Sequence, residues 1–139
     1  MDKPNKTGSL KMLVVLWFLM TGVTYCTARA PELNICELVK SPEQYDRKII
    51  VLTGLVYADI HSTGIRGEEC QEGVIIRYDV NSAPPGFVDG IEVKRGGLDA
   101  RPFRVKVKGK FFARVKGPLG YLRRLEVTNV LDWQFIGQK

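Results

Sequence analysis

The sequence predicts an all-β fold: one small, strongly coiled five-stranded barrel, opened by short helices and preceded by an export signal. Three observations predict it. An uncharged apolar run stands behind a basic leader at the N-terminus. Residues 48–58 and 103–115 carry the β-branched content and the period-two alternation of strands. No long amphipathic helix competes with them.

The leader comes first. Lys3, Lys6 and Lys11 precede the apolar run over residues 12–23, and small residues follow at Cys26, Thr27, Ala28 and Ala30. This is the order of a cleavable secretory signal. Pro31 would hinder cleavage after Ala30, so Ala28 is the preferred site. Residues 1–28 then form the signal and residues 29–139 a single domain, exported to a periplasmic or external space. An uncleaved anchor is the alternative. Twelve helical residues rise about 18 Å against a hydrocarbon core of about 30 Å, but extension to Ala28 brings about 25 Å, enough to hold a thinned bilayer through residues 12–28. Lipidation at Cys26 fits poorly, because bulky Tyr25 stands where a small residue is wanted.

Removing the leader changes the cysteine arithmetic. Of three cysteines in 139 residues, Cys36 and Cys70 remain. In an oxidising compartment their pairing is the simplest reading. Two free buried thiols are an alternative, and a metal site a poorer one, since two thiols with the lone His61 make an incomplete zinc set. Charge is unevenly placed in a chain of net charge +6. Residues 29–92 carry 6 basic and 11 acidic side chains, while residues 94–124 carry 11 basic ones against Asp99 alone. The domain reads as acidic early and basic late.

Asn34-Ile35-Cys36-Glu37 fits a helix N-terminus, with Asn34 as cap and Glu37 reaching back. Ser41-Pro42-Glu43-Gln44 repeats that logic with proline at the first helical position, and Tyr45 packs the turn onto the core. Residues 48–58 form the first barrel strand, interrupted by Gly54, which marks a bulge or a sharp coil. Residues 59–66 pair back as a second strand, and residues 74–78 form a third. Residues 81–98 hold Pro84, Pro85, Gly86, Gly90, Gly96 and Gly97 and read as mostly loop, a length that is often functional. From Phe103 to Val115, apolar residues alternate with cations, the pattern of a half-buried strand. Gly117-Pro118-Leu119-Gly120 turns the chain, and residues 121–130 return.

The run Ser41-Pro42-Glu43-Gln44-Tyr45-Asp46-Arg47-Lys48, leading into residues 49–56, resembles small bacterial OB-fold domains. These include exported proteins of unassigned role and the domains called tRNA-anticodon-like. Their pattern is a short helix, a tyrosine, "D-G-K", then a strand ending "T/R-G-x-V"; Arg47 stands where they have glycine. Residues 105–111, 119–121 and 125–127 look similar too, so the resemblance covers most of residues 34–130. It implies an OB-fold-like barrel, an exported location and an early cysteine matched by one after the second strand. It implies no catalytic residue, because OB folds host many functions. An exported domain would rarely meet tRNA, which disfavours nucleic acid as the natural partner.

The conspicuous chemistry is cationic. Arg104, Lys106, Lys108, Lys110, Arg114 and Lys116 share one strand face with Phe112, and Arg123 and Arg124 follow on the return strand. An OB barrel can present such a groove to a polyanion, with aromatics such as Tyr57, Tyr78 and Tyr121 as platforms. The plainer alternative is that these cations solvate the barrel and blunt an edge. His61 has Asp59 two residues away but no nucleophile partner, which argues against catalysis. Glu68, Glu69 and Glu72 lack calcium-loop spacing, Arg77 with Asp79 is too sparse for a metal-dependent nuclease, and the glycines match no phosphate loop. The expectation is a non-enzymatic binding module without cofactor, whose partner is an anionic ligand or an envelope protein. The alternative is a membrane-anchored assembly subunit of the envelope.

Overall fold

A computed structural model describes residues 28–137. The expected signal segment lies outside the described residues, apart from its final Ala28. Short elements open the domain: strand β1 (Glu32–Asn34), helix α1 (Ile35–Lys40) and a 3-10 turn (Pro42–Tyr45). Then come β2 (Ile49–Ala58), β3 (Thr63–Arg66), β4 (Gly73–Arg77), helix α2 (Pro85–Arg95), β5 (Phe103–Gly117) and β6 (Gly120–Phe135).

Strands β2, β3, β4, β6 and β5 pair in that order, and β5 returns to β2. The result is a closed five-stranded mixed barrel of the OB-fold-like type, parallel only between β4 and β6. β1, which has no strand signal of its own, joins the edge of β2 as a parallel sixth strand. Alternation along β5 decides what is inside. Phe103, Val105, Val107 and Phe111 are fully buried, facing Ile50 and Leu52 of β2, Ile65 of β3, Val74 of β4 and Leu125 of β6. At the other end, α1 seats Ile35 and Leu38 against this core under a complete capping box, in which Asn34 Oδ1 accepts the Glu37 amide at 2.8 Å.

The long loop expected over residues 81–98 is instead largely helix. Pro85 fits the first turn because it needs no donor there, and Gly96 and Gly97 end the helix. Between them Phe87 and Ile91, four residues apart, are fully buried. Gly90 lies so close to the Phe103 ring that any Cβ would collide with it. The prolines and glycines therefore shape and seat a helix that plugs the barrel, and the segment is not a free binding loop.

Of the two readings of Gly54, the coil holds and the bulge does not. β2 pairs with β5 from Ile49 to Leu55 without a bulge, then with β3 from Leu55 onward, so Gly54 sits where the strand coils between partners. A Cβ there would lie 2.5 Å from Ile65 Cγ2 and 2.6 Å from the Arg66 carbonyl. The register shifts lie in the β5–β6 ladder, where they add coil to the longest strands.

Arg47 takes the left-handed region with φ 59°, so it does the work of the glycine in the resembled pattern. The turn is kept because its amide bonds the Phe111 carbonyl at 2.7 Å and Asp46 Oδ1 accepts the Ala113 amide at 2.8 Å. Cys36 and Cys70 are disulfide-bonded across 34 residues, stapling α1 to the β3–β4 loop. On the chain-entropy account such a loop contributes about 4 kcal/mol.

Two substitutions test these assignments by urea unfolding. Gly54→Ala is expected to cost about 1–3 kcal/mol through overpacking, and a neutral result would contradict the close approach. Arg47→Gly is expected to gain about 0.5–1 kcal/mol, the left-handed penalty less the extra entropy of glycine. A loss of stability would show that the arginine side chain holds the turn.

Candidate functional site

The nine candidate site residues separate into two groups. Arg104 makes a two-pronged bond with Glu68, both contacts at 2.8 Å. Lys106 lies 2.6 Å from Glu32, Arg123 lies 2.9 Å from Glu72, and Arg124 lies 2.8 Å from Glu126. Three of these carboxylates come from the acidic first half of the domain. The charge separation seen along the chain is thus not a separation in space: folding lays the early acids over part of the late bases.

Lys108, Lys110, Arg114 and Lys116 form no ion pair among the described residues. They occupy the outward face of β5: Lys108 is half-buried in the middle of the strand, opposite Val51 and beside Lys106, while Lys110, Arg114 and Lys116 are exposed and run toward the β5–β6 turn. Aromatic rings organise this end. The Phe112 ring has Lys110 Nζ 5.6 Å and Arg124 Cζ 5.3 Å from its centroid, and Arg114 Cζ stands 4.7 Å from that of Tyr121. Such contacts hold long cations over a surface without neutralising them.

Beside them is a cleft of about 530 Å³, lined by Tyr57, Ile75, Arg114, Tyr121, Leu122 and Arg123 among others. Tyr57 and Tyr121, two of the three tyrosines expected as platforms, meet in this cleft, with Tyr57 half-buried. The Tyr57 ring lies across the outer face of β3 and β4, over Gly64 and Gly73; at Gly64 a side chain would collide with it. Burial first, and the nearby Asp59 charge second, push the Tyr57 hydroxyl above its ordinary range, so the phenol stays neutral. Tyr78 is elsewhere: it packs edge-on against Phe87 at 5.3 Å, on the side of the barrel closed by α2.

The remaining candidates are engaged in local structure. Asp59 Oδ1 accepts the amides of His61 and Ser62, each at 2.7 Å, which makes a tight turn and orients no imidazole. These two bonds lower the Asp59 pKa. Asp79 likewise accepts the Asn81 amide at 3.0 Å, and Arg77 is not brought to it. Glu68 and Glu72 are held by arginines, and no group of three or more metal-ligating side chains converges among the described residues. No described helix is long and apolar enough to cross a membrane.

Against known proteins, no family model matches the chain and no curated protein aligns with it.

A carboxylate outside the cleft sets the acid response. The Arg101 guanidinium, then the Arg101 amide, hold Asp99 down to about 2. A depressed carboxylate contributes stability that is complete above its unfolded pKa of about 3.9 and lost as pH falls through the folded value. Thermal stability should therefore fall from about pH 4 toward pH 2, with Asp59 acting in the same direction. Asp99→Asn should flatten part of that fall, and a variant as acid-sensitive as the parent would contradict the assignment.

Proposed function

We propose that the chain is an exported, non-enzymatic OB-fold binding module that engages an anionic ligand or an anionic envelope partner through the turn end of the β5–β6 hairpin. One observation carries this reading: Lys110, Arg114 and Lys116, which form no ion pair among the described residues, stand beside Phe112 and Tyr121 next to the Tyr57 platform, with Lys108 further back on the same strand face. Aromatic faces with cations beside them are the usual equipment of an OB surface that binds a charged polymer. Arg104, Lys106, Arg123 and Arg124 act chiefly as structural counter-charges.

Export is supported by the basic leader with its apolar run and by the Cys36–Cys70 disulfide, a bond that persists in oxidising compartments. The small OB-fold families that the sequence resembles fit the barrel but assign no ligand. The apolar run over residues 12–23 also favours a second reading, a membrane-anchored assembly subunit of the envelope. An N-terminus near Ala28 in the native protein's mass spectrum supports the processed module; an intact Met1 in the membrane fraction supports the anchored subunit.

A labelled single-stranded oligonucleotide serves as a generic polyanion. With about four cations in contact, log affinity should fall against log salt with a slope near −3. Lys110→Glu combined with Arg114→Glu should lower affinity about tenfold or more and flatten the slope. Binding indifferent to salt, or unchanged in the double variant, would remove the proposal.

A further inference from the structure

Beyond Ala113 on β5 and before Arg124 on β6, the two strands pair only with each other among the described residues. The β2 ladder ends at Lys110, Asp46 holds the Ala113 amide, and β4 meets β6 only from Arg124. About four residues per strand therefore project as an arm, roughly 13 Å long at strand rise. Pro118 and Leu119 make its tip, closed by Gly120 at φ 125°. Leu119 is fully exposed, and Tyr121 is 69 % exposed.

A lone exposed leucine is ordinary on a protein surface. Here the arrangement is graded along the arm. The apolar tip comes first. Behind it, Lys116 stands directly across from Tyr121, and Arg114 covers the Tyr121 ring. Lys110 and Lys108 follow toward the barrel. Lys116 and Tyr121 face each other two strand steps behind Leu119, about 7 Å. That matches the depth of about 5–10 Å to which interfacial segments bury apolar residues while their cations stay at the headgroups. Tyrosine belongs at the same level, where its ring is apolar on one side and wet at the hydroxyl.

We infer that the β5–β6 arm docks on an anionic lipid bilayer, with Leu119 entering the acyl boundary and Arg114 and Lys116 meeting lipid phosphates. This deepens the anion-binding reading and rests on it. A soluble polymer would satisfy the cations but give the exposed leucine nothing to bury against. Each cation near an anionic membrane adds a similar increment of attraction, so the arm should prefer acidic over neutral lipid.

The test uses the full chain with vesicles of phosphatidylcholine alone or with about one-third phosphatidylglycerol. Any attachment through residues 12–28 is common to every variant. The fluorescence difference between Leu119→Trp and the parent should shift to the blue with phosphatidylglycerol vesicles and not with phosphatidylcholine. Leu119→Ser should weaken the added association with acidic vesicles about tenfold and leave oligonucleotide binding unchanged. Arg114→Glu with Lys116→Glu should abolish both. An unshifted difference spectrum, or Leu119→Ser associating like the parent, overturns the bilayer assignment. If oligonucleotide binding survives that outcome, the binding-module reading stands alone; if the parent binds neither, both fall.

Discussion

Seven residues of β2, Ile49 to Leu55, are paired register for register with β5, and this ladder turns an open sheet into a closed barrel. Because side chains alternate, the same ladder settles two matters at once. It drives Phe103, Val105, Val107 and Phe111 into the core, and it forces Arg104, Lys106, Lys108 and Lys110 to the outer surface. A one-residue slip would bury the cations and expose the core, so register is strongly specified. Gly54 permits the ladder by letting β2 coil against β3 at its end, and the Asp46–Arg47 turn extends the hold on β5 to Ala113.

The electrostatics follow from that scaffold. β1 and the β3–β4 loop, which carry Glu32, Glu68 and Glu72, are brought beside the barrel by the parallel β1–β2 pairing and the disulfide. Their carboxylates neutralise the part of the cationic stripe within reach. Exposed pairs of this kind add little stability. Their consequence is spatial: Lys110, Arg114 and Lys116, toward the far end of the hairpin, are left without an ion pair among the described residues. The disulfide thereby helps place Glu68 and Glu72 beside the arginines they pair with.

How far the chain could be read in advance depended on the range of the forces involved. The β5 alternation, the Asn34 capping box, the glycine turn at 117–120 and the Cys36–Cys70 pair are local or compositional, and each was legible. Helix α2 was not, because its glycines and prolines have low helical preference while its burial depends on Phe103, a residue distant in sequence. β1 is three residues long and exists only because β2 offers an edge. For the site, residue types gave the whole cationic stripe, but only tertiary placement shows which cations are already paired. Tyr57 was legible as a candidate platform, but its support was not, because Gly64 and Gly73 lie on other strands.

An isotope-labelled sample titrated with a polyanion and followed by backbone amide NMR tests the central claim most directly. Shifts should be concentrated at Lys108, Lys110, Phe112, Arg114, Lys116 and Tyr121, with the neutralised Arg104 and Lys106 and helix α2 nearly still. Shifts centred on Arg104, Lys106 or α2, with a silent hairpin end, would contradict it.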